Sequence, residues 1–125
     1  MSQYDHQRLA LEREKARAIA SMVNVSMLVR VLSRSSDGTV DVQPLSKVLI
    51  DGVFESRPPL LSLPVLWRRT ATGQKDIPQY QTGDIGLVVF CDADIDNILL
   101  AGGEVEPATD RLHALEDGIF VGGLL

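Results

Sequence analysis

The sequence predicts a mainly β protein: a small barrel of about five strands, preceded by an amino-terminal α-helix and interrupted by a short helix after its strongest strand. Three observations carry this. Residues 5–23 contain neither Gly nor Pro and are dominated by Ala, Leu, Arg, Glu and Lys, all strong helix formers. From Val25 onward the apolar period becomes two, with several short runs separated by Gly-, Pro-, Asp- and Ser-rich turns. The run Ile85–Cys91 is apolar at alternate positions on both faces, so both must be covered.

The elements follow in order. In the first helix, Leu9, Ala16, Ile19, Ala20 and Val23 form a thin, Ala-rich stripe, while Arg8 with Glu12 and Glu14 with Arg17 stand at helix-supporting spacings. Such a stripe suits a partner better than the helix's own small domain, and the helix is expected to project as an oligomerisation or docking element; covering one end of the barrel is the alternative. Met27, Val29 and Val31 alternate with Leu28, Arg30 and Leu32, then Ser33–Gly38 supplies turn chemistry, and Val40 and Val42 share one face of a return strand. Lys47–Ile50 and Val53–Glu55 flank an Asp51–Gly52 turn. Leu63, Val65 and Trp67 suggest another strand, in which Pro64 requires an edge or a first-residue position. Thr70–Thr82 is a long polar loop. After Ile85–Cys91, Asp92–Gly103 reads as a short helix with Ile95, Ile98 and Leu99 on one side, acids in its first turn and glycine past its end. Asp110–Gly118 suggests a further helical turn before Ile119–Val121. The predicted organisation is a helix over residues 1–24 and a barrel over 25–125 with a short carboxy-terminal extension. A Greek-key barrel of the oligonucleotide/oligosaccharide-binding (OB) type fits this order best, with a small β-sandwich as the alternative.

Composition excludes several classes. The chain has 125 residues, 45% of them apolar, enough for one core but not for a multi-domain enzyme. No apolar run approaches transmembrane length, and the amino terminus lacks the basic start and apolar stretch of a secretory signal. One cysteine, Cys91, permits neither an intrachain disulfide nor a cysteine-based zinc site. The net charge of −5 hides an asymmetry: residues 1–70 carry 10 basic and 7 acidic side chains, residues 71–125 only Lys75 and Arg111 against 10 acids. That balance disfavours nucleic acid, for which Trp67, Arg68 and Arg69 with the Thr70–Thr82 loop form the one basic–aromatic cluster.

No motif supplies a catalytic set. Asp92, Asp94 and Asp96 alternate like calcium ligands, but Asn97 and Gly103 stand where the calcium loop needs Gly and Glu, and helix-start capping explains the acids better. His6 and His113 lack metal-ligand spacing. Cys91 reads as a small buried side chain. Nucleotide, dinucleotide and serine-hydrolase signatures are absent. No catalytic residue, cofactor or metal is expected.

The stretch Gly83–Asp84–Ile85–Gly86–Leu87–Val88–Val89–Phe90–Cys91–Asp92–Ala93–Asp94–Ile95–Asp96–Asn97 resembles the amino-terminal domain of phage contractile-tail central-spike proteins, the membrane-puncturing tips of baseplates. Arg111–Ile119, the strand Gly38–Pro44 and Leu60–Trp67 add to the resemblance, which spans about residues 22–121. It implies an OB barrel that trimerises about the tail axis in the virion's baseplate, joins the hub protein to the spike and catalyses nothing. Family members usually continue into a β-helical spike; here the expectation is that a separate tip or β-helical protein supplies it, with no direct lipid insertion by this chain. A trimer would cover the second face of Ile85–Cys91. The residues assigned to subunit contact are Val88 and Phe90, with Leu28 and Leu32 beside them, and Ile119, Phe120 and Val121 are assigned to the tip side. The competing reading is an OB module that grips single-stranded nucleic acid through Trp67, Arg68 and Arg69.

Overall fold

A computed structural model describes residues 3–125. Helix α1 spans Gln3–Met22, and strand β1 (Ser26–Arg34) follows after three residues. Strand β2 (Val40–Pro44) returns beside β1 through a turn fixed by Asp37, whose carboxylate accepts from the Thr39 amide at 3.0 Å and the Thr39 hydroxyl at 2.8 Å. The short strands β3 (Val48–Ile50) and β4 (Val53–Glu55) form a separate hairpin. Its two-residue loop has φ of 50° at Asp51 and 79° at Gly52. Both are left-handed, as a tight turn matched to strand twist requires, and Asp-Gly supplies that conformation at low cost.

Strand β5 (Leu60–Leu63) pairs with β2, and the two-residue strands β6 (Arg68–Arg69) and β7 (Lys75–Asp76) make a small hairpin within what the sequence suggested was a plain loop. Strand β8 (Ile85–Phe90) pairs with β1 and with the last strand, β9 (Gly118–Gly123). Between β8 and β9 lie helix α2 (Asp96–Ala101) and a single 3-10 turn, Leu115–Asp117.

The main sheet runs β5-β2-β1-β8-β9, all neighbours antiparallel. Its two edges then meet. The Phe120 amide donates to the Pro64 carbonyl at 2.9 Å and the Leu66 amide donates to the Phe120 carbonyl at 3.2 Å, a parallel bridge that links the segment after β5 to β9. This is the OB order, a curled five-stranded sheet drawn together by one parallel contact. Strand β5 ends one residue before Pro64, so the strand predicted around Leu63–Trp67 is shorter and earlier: proline cannot donate to a ladder.

Each barrel strand contributes to one core: Val29 and Val31, Val40 and Val42, Leu60 and Leu63, Val88 and Phe90, and Phe120. Phe120 is the largest fully buried side chain, with the Tyr80 ring edge-on at 4.7 Å between centroids. The Phe120 ring reaches over Gly86 on β8, where any Cβ would collide with Phe120 and with the Gly122 carbonyl. Burial alternates along β2 and β8, as a half-covered strand demands.

Candidate functional site: apolar surfaces outside the barrel

The core accounts for a minority of the large apolar side chains. Ten hydrophobic residues are buried among the described residues, against 25 large hydrophobics that are exposed. Isolated exposed leucines are ordinary, but contiguous groups of them mark binding surfaces.

The first group is the outer face of the sheet. The register sets Leu28 opposite Leu87 and Val89 opposite Ile119. Leu28 and Val89 are exposed, Leu87 and Ile119 half-buried, and Arg30 stands two residues beyond Leu28, opposite Ile85. Among the described residues neither helix lies against the sheet to any substantial extent. The second group is the β3–β4 hairpin. Leu49 faces Phe54 and Ile50 faces Val53 across its two strands, and their exposures run from 46% to 66%, so both surfaces of the hairpin are open. The third is α2, which has no buried residue and leaves Leu99 and Leu100 in solvent.

The β8–β9 connection is held by a partly buried charge cluster. Arg111 sends Nε and Nη2 to the two carboxylate oxygens of Asp117, each at 2.8 Å, and Nη2 also lies 3.0 Å from Asp94 and 3.2 Å from Asp96. Asp94 and Asp117 are fully buried and further occupied: Asp94 accepts from the Asp96 amide at 2.9 Å and the Thr109 hydroxyl at 2.7 Å, and Asp117 accepts from the Ile95 amide at 3.1 Å. The Asp96 amide bond and the Thr109 and Arg111 contacts hold the Asp94 carboxyl below its usual pKa, and the Arg111 hydrogen bonds do so for Asp117. The same pairing with Asp117 raises Arg111 further above its already high value. Carboxylate oxygens of Asp94, Asp96 and Asp117 lie within 4.8 Å of one another, a metal-like grouping, but the guanidinium sits against all three. The arrangement is a clamp on a loop: it fixes where α2 starts and where β9 begins. Asp94 does serve the helix start, as expected, through the Asp96 amide rather than from the capping position itself, which Ile95 occupies.

Across these elements the family model for the phage protein Gp138 N-terminal domain matches residues 27–123. The chain belongs to this family. The matched span begins in β1 and ends with the last residue of β9, so it takes in the whole barrel and leaves α1 outside. No match was found among curated proteins. Membership in the Gp138 N-terminal domain family makes the chain a phage protein domain and points to a structural role in the virion.

Within this phage domain the residues assigned to interfaces divide. Val88, Phe90 and Phe120 are corrected: at 0%, 4% and 0% exposure they form the core and present no surface to a partner. The strand is apolar on both faces, as read, but the face turned inward is Gly86–Val88–Phe90, and the one left open is Ile85–Leu87–Val89. Leu28 and Leu32 are exposed on β1, Val121 is exposed on β9 and Ile119 is half-buried beside Val89. On α1 every side chain from Gln3 to Ala16 is exposed and Val23 just beyond it is open; the side chains of Ile19 and Ala20 lie outside the described residues.

The basic–aromatic cluster is assembled as the sequence suggested but is occupied by its own cations. Arg69 and Lys75 each stand 4.9 Å from the Trp67 ring centroid, and Arg68 pairs with Asp76 at 3.3 Å. His6 lies on α1 and His113 in the β8–β9 connection, where its backbone has φ of 46° and its buried Nδ1 has no hydrogen-bond partner among the described residues. Cys91 is half-buried, and burial, reinforced by Asp117 and Asp92, raises its thiol pKa. The Arg111 clamp escaped sequence reading. Its signal was Arg111 itself, one of two bases among the ten acids of residues 71–125.

Proposed function

We propose that the chain is a structural component of the phage tail baseplate: a trimeric OB barrel at the base of the central spike, joining the hub above to the puncturing tip. The observation that carries this reading is the family match over the entire barrel. The uncovered outer face of β1, β8 and β9 supports it, since a strand apolar on both sides needs a second cover and the described chain supplies only one. On this reading the chain has no catalytic role, and its partners are two further copies, the hub and the tip. On this reading the chain inserts into no lipid itself.

Native mass spectrometry tests the proposal. The expected species has three times the 13.7 kDa chain mass. A monomer at high micromolar concentration would overturn the trimer. The competing reading, single-stranded nucleic-acid binding at Trp67, is tested by titrating its fluorescence with oligonucleotides at low salt. No change is expected, because Arg69 and Lys75 already occupy the ring's surroundings and the chain is net acidic.

A further inference from the structure

We infer that the β3–β4 hairpin of one copy lies on the outer sheet face of the next, with its Ile50–Val53 surface against Leu28 and Leu87 and Glu55 against Arg30. This deepens the trimeric reading and rests on it. A ring of three needs a head-to-tail contact, in which each chain offers two different patches. The hairpin and the sheet face are two such patches, one protruding and one flat, both apolar.

Area, spacing and charge favour a second copy as the occupant. The chain exposes 9230 Å², whereas a compact monomer of 13.7 kDa would expose about 6,600 Å², a surplus of about 2,600 Å². Part of that surplus belongs to α1. A ring contact of standard size takes about 800 Å² from each partner, and each chain makes two, about 1,600 Å² in all. The hairpin, as a lone two-stranded element, is marginal in water without such a contact. On β1, Leu28 is followed two residues later by Arg30 on the same face; on β4, Val53 is followed two residues later by Glu55 on the same face. Two residues of strand span about 6.7 Å in each case, so an apolar contact and an ion pair can form in the same register. Arg30 and Glu55 are exposed, and within the described chain neither has a side-chain partner. The exposed leucines of α2 have Asp92, Asp96, Glu104 and Glu106 around them in sequence, so α2 meeting its own copies about the ring axis would stack like charge.

A charge swap tests this on the full chain. Arg30→Glu and Glu55→Arg are each expected to raise the trimer dissociation constant at least tenfold, and the double variant to restore it to within about threefold of wild type. Both positions are exposed, so circular dichroism should show unchanged folding. A Val53→Cys protein mixed with a Leu87→Cys protein, both in a Cys91→Ala background, should form a disulfide-linked pair, and a Phe54→Cys control should not. A wild-type trimer in which the double variant is no better than the singles and no cross-link forms would overturn this contact while leaving the trimeric reading intact. A wild-type monomer would overturn both.

Discussion

Replacing Phe120 with alanine separates a core role from an interface role. Phe120 is fully buried, meets Tyr80 edge-on at 4.7 Å and sits where the two sheet edges join through its own backbone. Truncation removes a whole aromatic ring from a site whose walls are barrel strands, which cannot collapse freely onto the space. The expected cost is about 3–5 kcal/mol, a shift of about 12–20 °C in Tm for a domain of this size. The loss of the Tyr80 ring contact falls within that figure. The assay is thermal unfolding by circular dichroism at fixed protein concentration, repeated over a tenfold dilution. The destabilisation should persist at every concentration, because the cavity lies inside one chain. A variant that melts within about 3 °C of wild type but assembles less well would refute the reasoning and return Phe120 to a surface.

Two further expectations follow from the same geometry. Gly86→Ala should destabilise the barrel by about 1–3 kcal/mol, read as a lower urea midpoint, because the new methyl group would overlap Phe120 and the Gly122 carbonyl and the backbone oxygen cannot step aside. In the wild-type protein Asp94 and Asp117 have depressed folded-state pKa values, so the stability they confer is complete above the ordinary carboxylate value of 3.8 and is lost as pH falls through their folded values. Arg111→Met should lower stability at pH 7 and reverse the slope. Its two buried carboxylates, stripped of the guanidinium, then gain stability by taking up protons as pH falls from 7 to 5, a range over which the paired Asp94 and Asp117 of the wild type stay ionised and add no slope. Parallel slopes for the two proteins in urea titrations would show that water already screens the cluster.

Much of the fold was legible because its signals are local. Period-two alternation marked β1, β2 and β8, the Asp51–Gly52 pair marked a tight hairpin turn, and the helix-forming run of residues 5–23 matched α1 to within two residues at its start and one at its end. The small β6–β7 hairpin was invisible, since two-residue strands carry no period. The clamp was equally hidden, because Asp94 and Arg111 stand 17 residues apart and meet only in the folded loop.

The inversion of β8 shows where periodicity stops being informative. Ile85–Leu87–Val89 and Gly86–Val88–Phe90 are both plausible inner rows by hydropathy alone, and the first contains more side-chain volume at its first position. What decides is shape inside the barrel. Phe120, on the neighbouring strand β9, lays its ring over β8, and the inner row must therefore contain the residue that leaves room for it, Gly86. A glycine within an apolar strand often marks close approach by another group. Read that way, Gly86 turns Val88 and Phe90 inward and frees Leu87 and Val89, and with them the surface on which any subunit contact has to be built.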